Sequence, residues 1–394
     1  MHVRSFRSIS RAVVDLGPLT FLVGANGSGK SNTVDVLRFV SDSLNTTLES
    51  ALRERGGINA VRRRSRGHPN HFSIRLEFRL PDARDGSFSF EIAAEKQGGF
   101  SVRREACELT GGLLGDPVRY EVRDGSFFVP VAGIQPRLAK DRLALTAISG
   151  HPDFRPVYDL LTGIRTYNLV PDKVRELQDA DPGNYLKRDG GNAAAVLREI
   201  RRVDEAAFAR INGLLSKVVM GTQRVEPWSL GPKESLRFFQ DVGDKAPWTF
   251  EALNMSDGTL RVVAILIAIF QVPSPPLIAI EEPESTIHPA AVEVLLDAFR
   301  DGVFRTQILA TTHSPEMLDS KSITDSEIRA VSAVRGQTSI GPVNSTTRSV
   351  IRDRLYSPGE LLRAGELVPG VEETAALDKQ LRLFRDDEAD CPNS

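Results

Sequence analysis

The stretch "GANGSGKSN", residues 24–32, decides the fold of this chain. It fits the pattern Gly-x-x-x-x-Gly-Lys-Ser, after the apolar segment "LTFLV" and before a helical pattern that runs from Lys30 to about Ser41. In that context backbone N–H groups wrap phosphates, the lysine reaches the β- and γ-phosphates, and the serine binds Mg²⁺. A glycine turn without a ligand is the alternative. The predicted phosphate-binding residues are Asn26, Gly27, Ser28, Gly29, Lys30, Ser31 and Asn32.

Two further segments end apolar strands with polar residues. "PPLIAIEEPESTIHP", 275–289, places Glu281 and Glu282 at the end of a buried strand. Adjacent carboxylates there are costly without a cation or a proton-transfer role. In a P-loop enzyme the first acid would hold Mg²⁺ through water and the second would orient the attacking water. Two solvated acids are the alternative. "QILATTHSPEM", 307–317, ends a strand before His313, which could hydrogen-bond a γ-phosphate.

A third segment, "NMSDGTLR" at 254–261, precedes the apolar run "VVAILIAIF". Asn254 or Ser256 could cap the helix that begins there, and Gly258 could be a loop residue. The first N–H groups of that helix could instead face an anion, which the positive end of a helix dipole favours. These residues alone leave both interpretations open.

The composition is that of an ordinary globular protein. The 394 residues are 41% hydrophobic and 26% charged. The formal net charge of −2 gives no indication of binding to nucleic acid or to a membrane. The longest apolar run, 262–270, is too short to span a bilayer, and the N-terminus has no apolar signal region. Two distant cysteines give no disulfide framework. We expect a cytoplasmic protein.

The order of elements predicts an α/β P-loop NTPase. Residues 1–110 would form an ATPase lobe with the P-loop and an antiparallel meander, and 111–245 a mixed, largely helical, lid-like insertion. A second ATPase lobe would follow at 246–345, and a helical tail at 346–394. The helical patterns of the insertion run from Asn192 to Arg202 and from Asp204 to Val219.

Taken in order, these motifs resemble the ABC-type ATPase heads of the SMC and RecF group. They look especially like the stand-alone, OLD-like AAA family ATPases of bacteria. The segments that carry the resemblance are "FRSI" (6–9), "VGANGSGKSN" (23–32), "YLKRDGGNAAAVL" (185–197), "MSDGTLR" (255–261), "IEEPESTIHP" (280–289) and "TTHSPEML" (311–318).

The resemblance implies a homodimer of heads arranged head-to-tail around two ATP and Mg²⁺. Ser256 and Gly258 would contact the γ-phosphate held by the partner's P-loop. Arg7 would lie near the bound phosphates. Glu281 would be the Walker B acid that holds the metal, and Glu282 the catalytic base. His313 would be the switch histidine, and 284–288 the D-loop at the dimer interface.

The chain departs from the family pattern in several ways. The Walker B acid is a glutamate where aspartate is commoner, and the signature reads S-D-G-T-L. For the Q-loop, Gln135 and Gln178 are weak candidates. The segment after His313 has no Asp-x-Asp on an apolar strand, so we expect no TOPRIM nuclease domain. A nuclease or toxin effector would then be a separate polypeptide.

The arginine run from Arg53 to Arg66 is a candidate DNA-binding patch, because dense arginines neutralise backbone phosphates. The alternative is a solvated loop in an arginine-rich chain. The resemblance favours DNA repair, genome maintenance or anti-phage defence. A transporter's nucleotide-binding subunit and an ATP-dependent assembly switch without turnover are the alternatives.

Overall fold

The computed structural model describes residues 1–64, 70–96, 98–110, 115–131, 136–379 and 383–384. The strands are β1 (His2–Phe6), β2 (Ile9–Val13), β3 (Leu19–Val23), β4 (His71–Arg79), β5 (Asp85–Ala94), β6 (Phe100–Thr110), β7 (Val118–Arg123), β8 (Ser126–Val129), β9 (Arg165–Tyr167), β10 (Gln178–Asp179), β11 (Thr222–Leu230), β12 (Lys233–Gln240), β13 (Trp248–Glu251), β14 (Leu277–Glu281), β15 (Gln307–Thr312), β16 (Ile328–Val334) and β17 (Gln337–Gly341). The helices are α1 (Lys30–Asn45), α2 (Leu48–Arg53), α3 (Ile58–Val61), α4 (Ala144–Ile148), α5 (Arg155–Gly163), α6 (Pro171–Arg175), α7 (Ala193–Val203), α8 (Glu205–Val218), α9 (Asp257–Phe270), α10 (Val292–Gly302), α11 (Pro315–Leu318), α12 (Ser345–Arg352), α13 (Pro358–Arg363) and α14 (Val371–Lys379).

One continuous sheet joins a parallel half to an antiparallel half. Its strand order is β8-β7-β6-β5-β4-β1-β2-β17-β16-β3-β15-β14-β9. The neighbours β9, β14, β15, β3 and β16 run parallel. From β2 to β8 every pair is antiparallel. The predicted α/β core with an antiparallel layer is therefore present, and the two share one sheet.

The central parallel strand β14 is apolar from Leu277 to Ile280 because both faces of the sheet are covered. In β14, Ile278 and Ile280 belong to the hydrophobic cluster that includes α7 to α10. Leu277 and Ala279, which alternate with them, belong to the cluster on the other face, together with α1 and the antiparallel layer. Strands buried on both faces give near-continuous apolar sequences, and this explains "PPLIAI".

Helix α9 is buried on all sides. Every residue from Thr259 to Phe270 is buried, and α6, α7, α8 and α10 all contact the helix. A helix that is hydrophobic all round fits only such a position. The run "VVAILIAIF" is therefore the central helix of the second lobe.

The prediction for residues 111–245 is partly wrong. The segment does contain α7 and α8 close to the predicted bounds. However, β7 and β8 extend the antiparallel layer, and β9 joins the parallel core beside β14. A second, four-stranded sheet formed by β10, β11, β12 and β13 supplies most of the rest. The segment is woven into the core and is no separate lid, because its edge strand completes the central sheet.

The carboxyl ends of β3, β14, β15 and β9 meet at one edge of the parallel half. Ligands of open α/β sheets bind outside this edge. The P-loop, both glutamates of the acidic strand and His313 all follow these strands. Within the described ranges, no helix has the length and apolar character needed to cross a membrane.

Candidate nucleotide-binding site

The P-loop conformation depends on two residues outside its motif. Gly29 has φ +109°, and a Cβ at this position would lie 2.7 Å from Cγ2 of Thr338, so only glycine fits. The Thr338 hydroxyl donates to the carbonyl of Ser28 (3.0 Å) and lies 2.7 Å from the Ser8 hydroxyl. Asn32 Nδ2 donates to the same Ser8 oxygen (2.6 Å). Ser8 and Thr338 thus support the loop, and the motif alone does not reveal them.

Lys30, the P-loop cation, is satisfied within the loop itself. Its Nζ donates to the carbonyls of Gly24 (2.6 Å) and Ala25 (3.0 Å). Burial lowers the pKa of Lys30, and the opposing charges of Glu282 and Glu284 only partly offset this effect. The ammonium group therefore lies between backbone oxygens and carboxylates. Because it is partly buried and has lost water, it would attract a bound phosphate strongly.

The structure brings the P-loop and one acid together around a small cleft of about 170 Å³. Its lining residues are Asn26, Gly27, Gly29, Lys30, Ser31, Asn32 and Glu282. All of them are predicted site residues from two distant segments of the chain.

The two acids of the strand end have different partners. Glu281 is the last residue of β14, and its Oε1 accepts a hydrogen bond from Arg188 Nη2 at 3.1 Å. Glu282 has φ +45°, a conformation that costs energy in a residue with a side chain, and its N–H donates to both oxygens of Thr311. Glu282 Oε1 lies 3.2 Å from His313 Nδ1. The strained turn directs the second acid towards the predicted switch histidine.

A third carboxylate, Glu284, lies beside these two. Thr312 donates its hydroxyl hydrogen to Oε1, while Oε2 is buried and has no hydrogen-bond partner. Burial raises the pKa of Glu284. The sequence motif places Glu284 only in the D-loop, because "EEPE" does not indicate which acids are buried.

Arg261, the last residue of the "MSDGTLR" segment, ties the strand ends together. Its guanidinium is buried and donates to the carbonyls of Leu169 (2.9 Å), Glu281 (3.1 Å) and Glu282 (2.8 Å). Burial lowers its pKa despite the nearby charges of Glu284 and Glu282. This arginine therefore physically joins α9 to the acidic turn, a role that sequence reasoning missed.

The start of α9 has only local contacts for its serine. The Ser256 hydroxyl accepts the N–H of Thr259 (3.3 Å), which is the capping arrangement. Arg175 of α6 pairs with Asp257. A Cβ on Gly258 would lie 2.6 Å from the carbonyl oxygen of Thr286, so glycine permits close contact with the 284–288 segment.

Arg7 is not among the residues that line the cleft. Its Nη2 pairs with Asp35 of α1 at 2.8 Å.

The weak Q-loop candidate Gln178 is wrong, because its buried amide bonds Lys173, Gly190 and Ala194 as a structural link. Gln135 lies outside the described residues. An exposed polar residue, Asn168, directly follows β9, at the same edge of the sheet as Glu281 and Glu282.

The arginine run is not a uniform patch. Arg55 has a side chain only 2% exposed and pairs with Asp35 and Asp42, so its prediction as a phosphate-binding residue is wrong. Arg62 and Arg64 bond Asn59 and lie nearer the surface. Arg66 lies outside the described residues.

The oxygen donors at this edge fit Mg²⁺. Ser31 is exposed at the start of α1, and Glu281 ends β14. Among the described residues, no group of three or more His, Cys, Asp or Glu side chains could hold a metal ion by itself. Mg²⁺ is commonly bound through one or two protein oxygens together with substrate phosphates and water, so this sparse donor set suits it.

Comparisons with known proteins agree with this architecture. Residues 19–319 match the family described as "AAA domain, putative AbiEii toxin, Type IV TA system". No curated protein matches the chain.

Two solved structures of SMC heads share the fold. One is an SMC head bound to the C-terminal winged-helix domain of ScpA, with a TM-score of 0.55 and 15% identity over 86% of this chain and 95% of that one. The other is an Smc head with an extended coiled coil, bound to the C-terminal domain of ScpA, from Pyrococcus furiosus. Its TM-score is 0.53, with 13% identity over 90% of this chain and 98% of that one. The predicted P-loop NTPase fold of the ABC-head type is confirmed.

Proposed function

Because the chain belongs to this AAA-domain family and has the SMC-head fold, we propose that it binds Mg–ATP and hydrolyses it. The observation that carries the proposal is the meeting of Lys30, Ser31 and Glu282 around one cleft, with Glu281 beside it. These residue types at the carboxyl edge of a parallel sheet are those that phosphoryl transfer from ATP requires.

Each residue has a task in the proposed reaction. The N–H groups of the P-loop and the positive end of α1 hold the phosphate oxygens. Lys30 exchanges its two carbonyl partners for β- and γ-phosphate oxygens. Ser31 and Glu281 would hold Mg²⁺, which neutralises charge that develops on the phosphates.

Glu282 is the group that handles the attacking water. Its carboxylate accepts a hydrogen bond from that water and aims the oxygen at the γ-phosphorus. His313, 3.2 Å from Glu282 Oε1, holds the carboxylate in place and is positioned to respond to the γ-phosphate. The buried Arg261 fixes the backbone of the same turn, so the acid is presented from a rigid base.

We further propose that two copies associate head-to-tail around two ATP. Ser256 and Asp257 are exposed at the first turn of α9, a helix of 14 residues whose positive end faces outward. The free N–H groups and the dipole of that first turn favour an anion, and Arg175, which pairs with Asp257, adds a positive charge beside it. The γ-phosphate of ATP bound to a second copy is such an anion.

The setting that we propose is genome maintenance or anti-phage defence, in which the ATP-bound dimer controls a separately encoded nuclease or toxin effector. The family description, which refers to a toxin–antitoxin system, supports this choice over a transporter subunit.

The experiment is a single-turnover ATP hydrolysis assay with binding measured in parallel. Lys30→Ala should lose ATP binding, and Glu282→Gln should bind ATP without releasing phosphate. A wild-type protein that binds ATP but releases no phosphate over many minutes would instead indicate an assembly switch. A wild-type protein that binds no ATP would refute the proposal.

A further inference from the structure

The segment 185–197 contributes a cation to the metal-binding edge of the site. Arg188 Nη2 lies 3.1 Å from Glu281 Oε1, and the two side chains are 43% and 16% exposed. We propose that Arg188 is a built-in competitor of Mg²⁺, which holds the Glu281 carboxylate until the metal arrives with ATP. This inference rests on the proposed function, because it takes Glu281 as the metal-binding acid.

The backbone that carries Arg188 is fixed by buried hydrogen bonds. Asn192, 1% exposed, accepts the N–H of Lys187 (2.7 Å) and donates to the carbonyl of Tyr185 (3.0 Å). The carbonyl of Arg188 itself accepts the N–H of Asn168 (3.0 Å), directly after the strand that neighbours β14. The guanidinium therefore reaches Glu281 from a rigid base, and its position is specified by the loop.

The other groups of the site are also paired internally. Lys30 donates to backbone carbonyls, Glu282 pairs with His313, and Glu284 accepts from Thr312. The Arg188 contact completes this set by neutralising the acid at the end of β14. Arg188 occupies Glu281 Oε1 and neutralises the carboxylate, so Mg²⁺ binding through that oxygen would require Arg188 to withdraw.

The ion pair is placed so that it can be broken. Arg38 of α1 lines the same cleft as Arg188, but its guanidinium is already paired with Asp42 (3.3 Å) and Glu54 (3.6 Å). A partly exposed pair contributes little free energy. The phosphates of ATP supply additional metal ligands, which favours metal binding at Glu281 over the pair with Arg188. Mg²⁺ alone would therefore bind weakly at Glu281, and Mg²⁺ together with ATP would bind more tightly.

The test is Mn²⁺ binding to the full chain, measured by electron paramagnetic resonance with and without ATP. Arg188→Gln should raise the Mn²⁺ affinity without nucleotide by about fivefold, the value of one exposed ion pair. Arg188→Lys should give a smaller rise. Adding Glu281→Gln to Arg188→Gln should remove the gain, because the carboxylate is the site of competition.

The matched control is Arg165→Gln. Arg165 stacks on Tyr185 and donates to the Thr162 carbonyl in the same region, so this variant removes one charge without touching Glu281. Its Mn²⁺ affinity should equal that of the wild type.

An unchanged or weaker Mn²⁺ affinity in both Arg188 variants would overturn the inference, as would an equal rise in Arg165→Gln. Melting temperatures distinguish these outcomes from a folding defect, which would weaken binding and could not tighten it. A wild-type protein that binds no Mn²⁺ even with ATP would instead refute the metal assignment of the proposed function.

Discussion

The P-loop edge and the start of α9 differ in how their polar groups are paired. At the P-loop edge, Lys30, Glu281 and Glu282 each have a partner from the same chain. At the start of α9, the exposed Ser256 bonds Thr259 in the first turn of its own helix, and the exposed Asp257 pairs with Arg175 of α6. The first region is a cleft that one chain forms from two distant segments, whereas the second is an exposed turn whose proposed role needs another copy.

The largest expected effect comes from an acid in the first region. Glu282→Gln should lower the rate of ATP hydrolysis by about 10² to 10³-fold, because it removes the carboxylate that orients the water. ATP binding should persist, and a dimer should accumulate with ATP in size-exclusion chromatography with light scattering. If the variant lost ATP affinity as completely as Lys30→Ala, the division of roles between these two residues would be wrong.

Arg261 joins the two regions, so its replacement tests whether they depend on each other. Arg261→Leu leaves the carbonyl oxygens of Leu169, Glu281 and Glu282 without their donor, and it should cost about 4 kcal/mol of unfolding free energy in urea titrations. Arg261→Lys keeps the charge with fewer donors and should cost less. If the wild type and Arg261→Leu were equally stable, the hydrogen bonds of Arg261 would not stabilise the contact between α9 and the acidic turn.

Glu105 gives a stability reference outside both regions. Burial raises its pKa to about 7, although Tyr120 and the N–H groups of Ala144 and Leu145 donate to it. The folded protein thus binds a proton that the unfolded chain releases near its ordinary value of 4.5. The contribution of Glu105 to stability is therefore greatest below about pH 4.5. It falls as the pH rises to about 7, by on the order of 3 kcal/mol.

Glu105→Gln should remove this part of the pH dependence. Urea unfolding at pH 5 and pH 8 provides the measurement, and ATP binding serves as the control, since Glu105 lies outside the nucleotide cleft. An identical pH dependence in wild type and variant would show that the buried carboxyl does not titrate in this range.

The smallest effect concerns the proposed DNA contact beside the P-loop edge. Replacing Arg62 and Arg64 with glutamine should reduce the slope of log affinity against log salt by roughly one per lost phosphate contact. Arg55→Gln should instead lower stability, because Arg55 is buried between Asp35 and Asp42. If these replacements did not change the dependence of DNA affinity on salt, the segment would be an ordinary surface loop.

Much of the fold could be predicted because its signals are local. The apolar run of α9 predicted a buried helix, and the alternation of β4 predicted the meander that the structure contains. Helices α7 and α8 lie within one residue of the expected bounds. Such elements depend on periodicity and end signals in a single stretch of sequence.

The supports of the site could not be predicted because they come from distant segments. Thr338 reaches the P-loop only because β17 pairs with β2, and Arg188 reaches Glu281 only because β9 lies beside β14. Arg55 was misassigned for a related reason. The density of arginines in a sequence does not distinguish a buried ion pair from an exposed charge.

In the proposed dimer, a working site needs the P-loop of one copy and the signature turn of another. Ser256→Arg should bind ATP and fail to hydrolyse it, at the cost of the helix cap, about 1 kcal/mol. Its mixture with Lys30→Ala should regain activity, since each heterodimer combines one intact P-loop with one intact signature turn. A mixture of Lys30→Ala with Glu282→Gln is the matched control and should remain inactive.

The deciding measurement is the rate of phosphate release from the first mixture, at equal total protein. Activity well above that of either variant alone is the predicted result, with none in the control mixture. Activity no higher than the parents, in a mixture shown to contain heterodimers, would contradict a site shared between two chains.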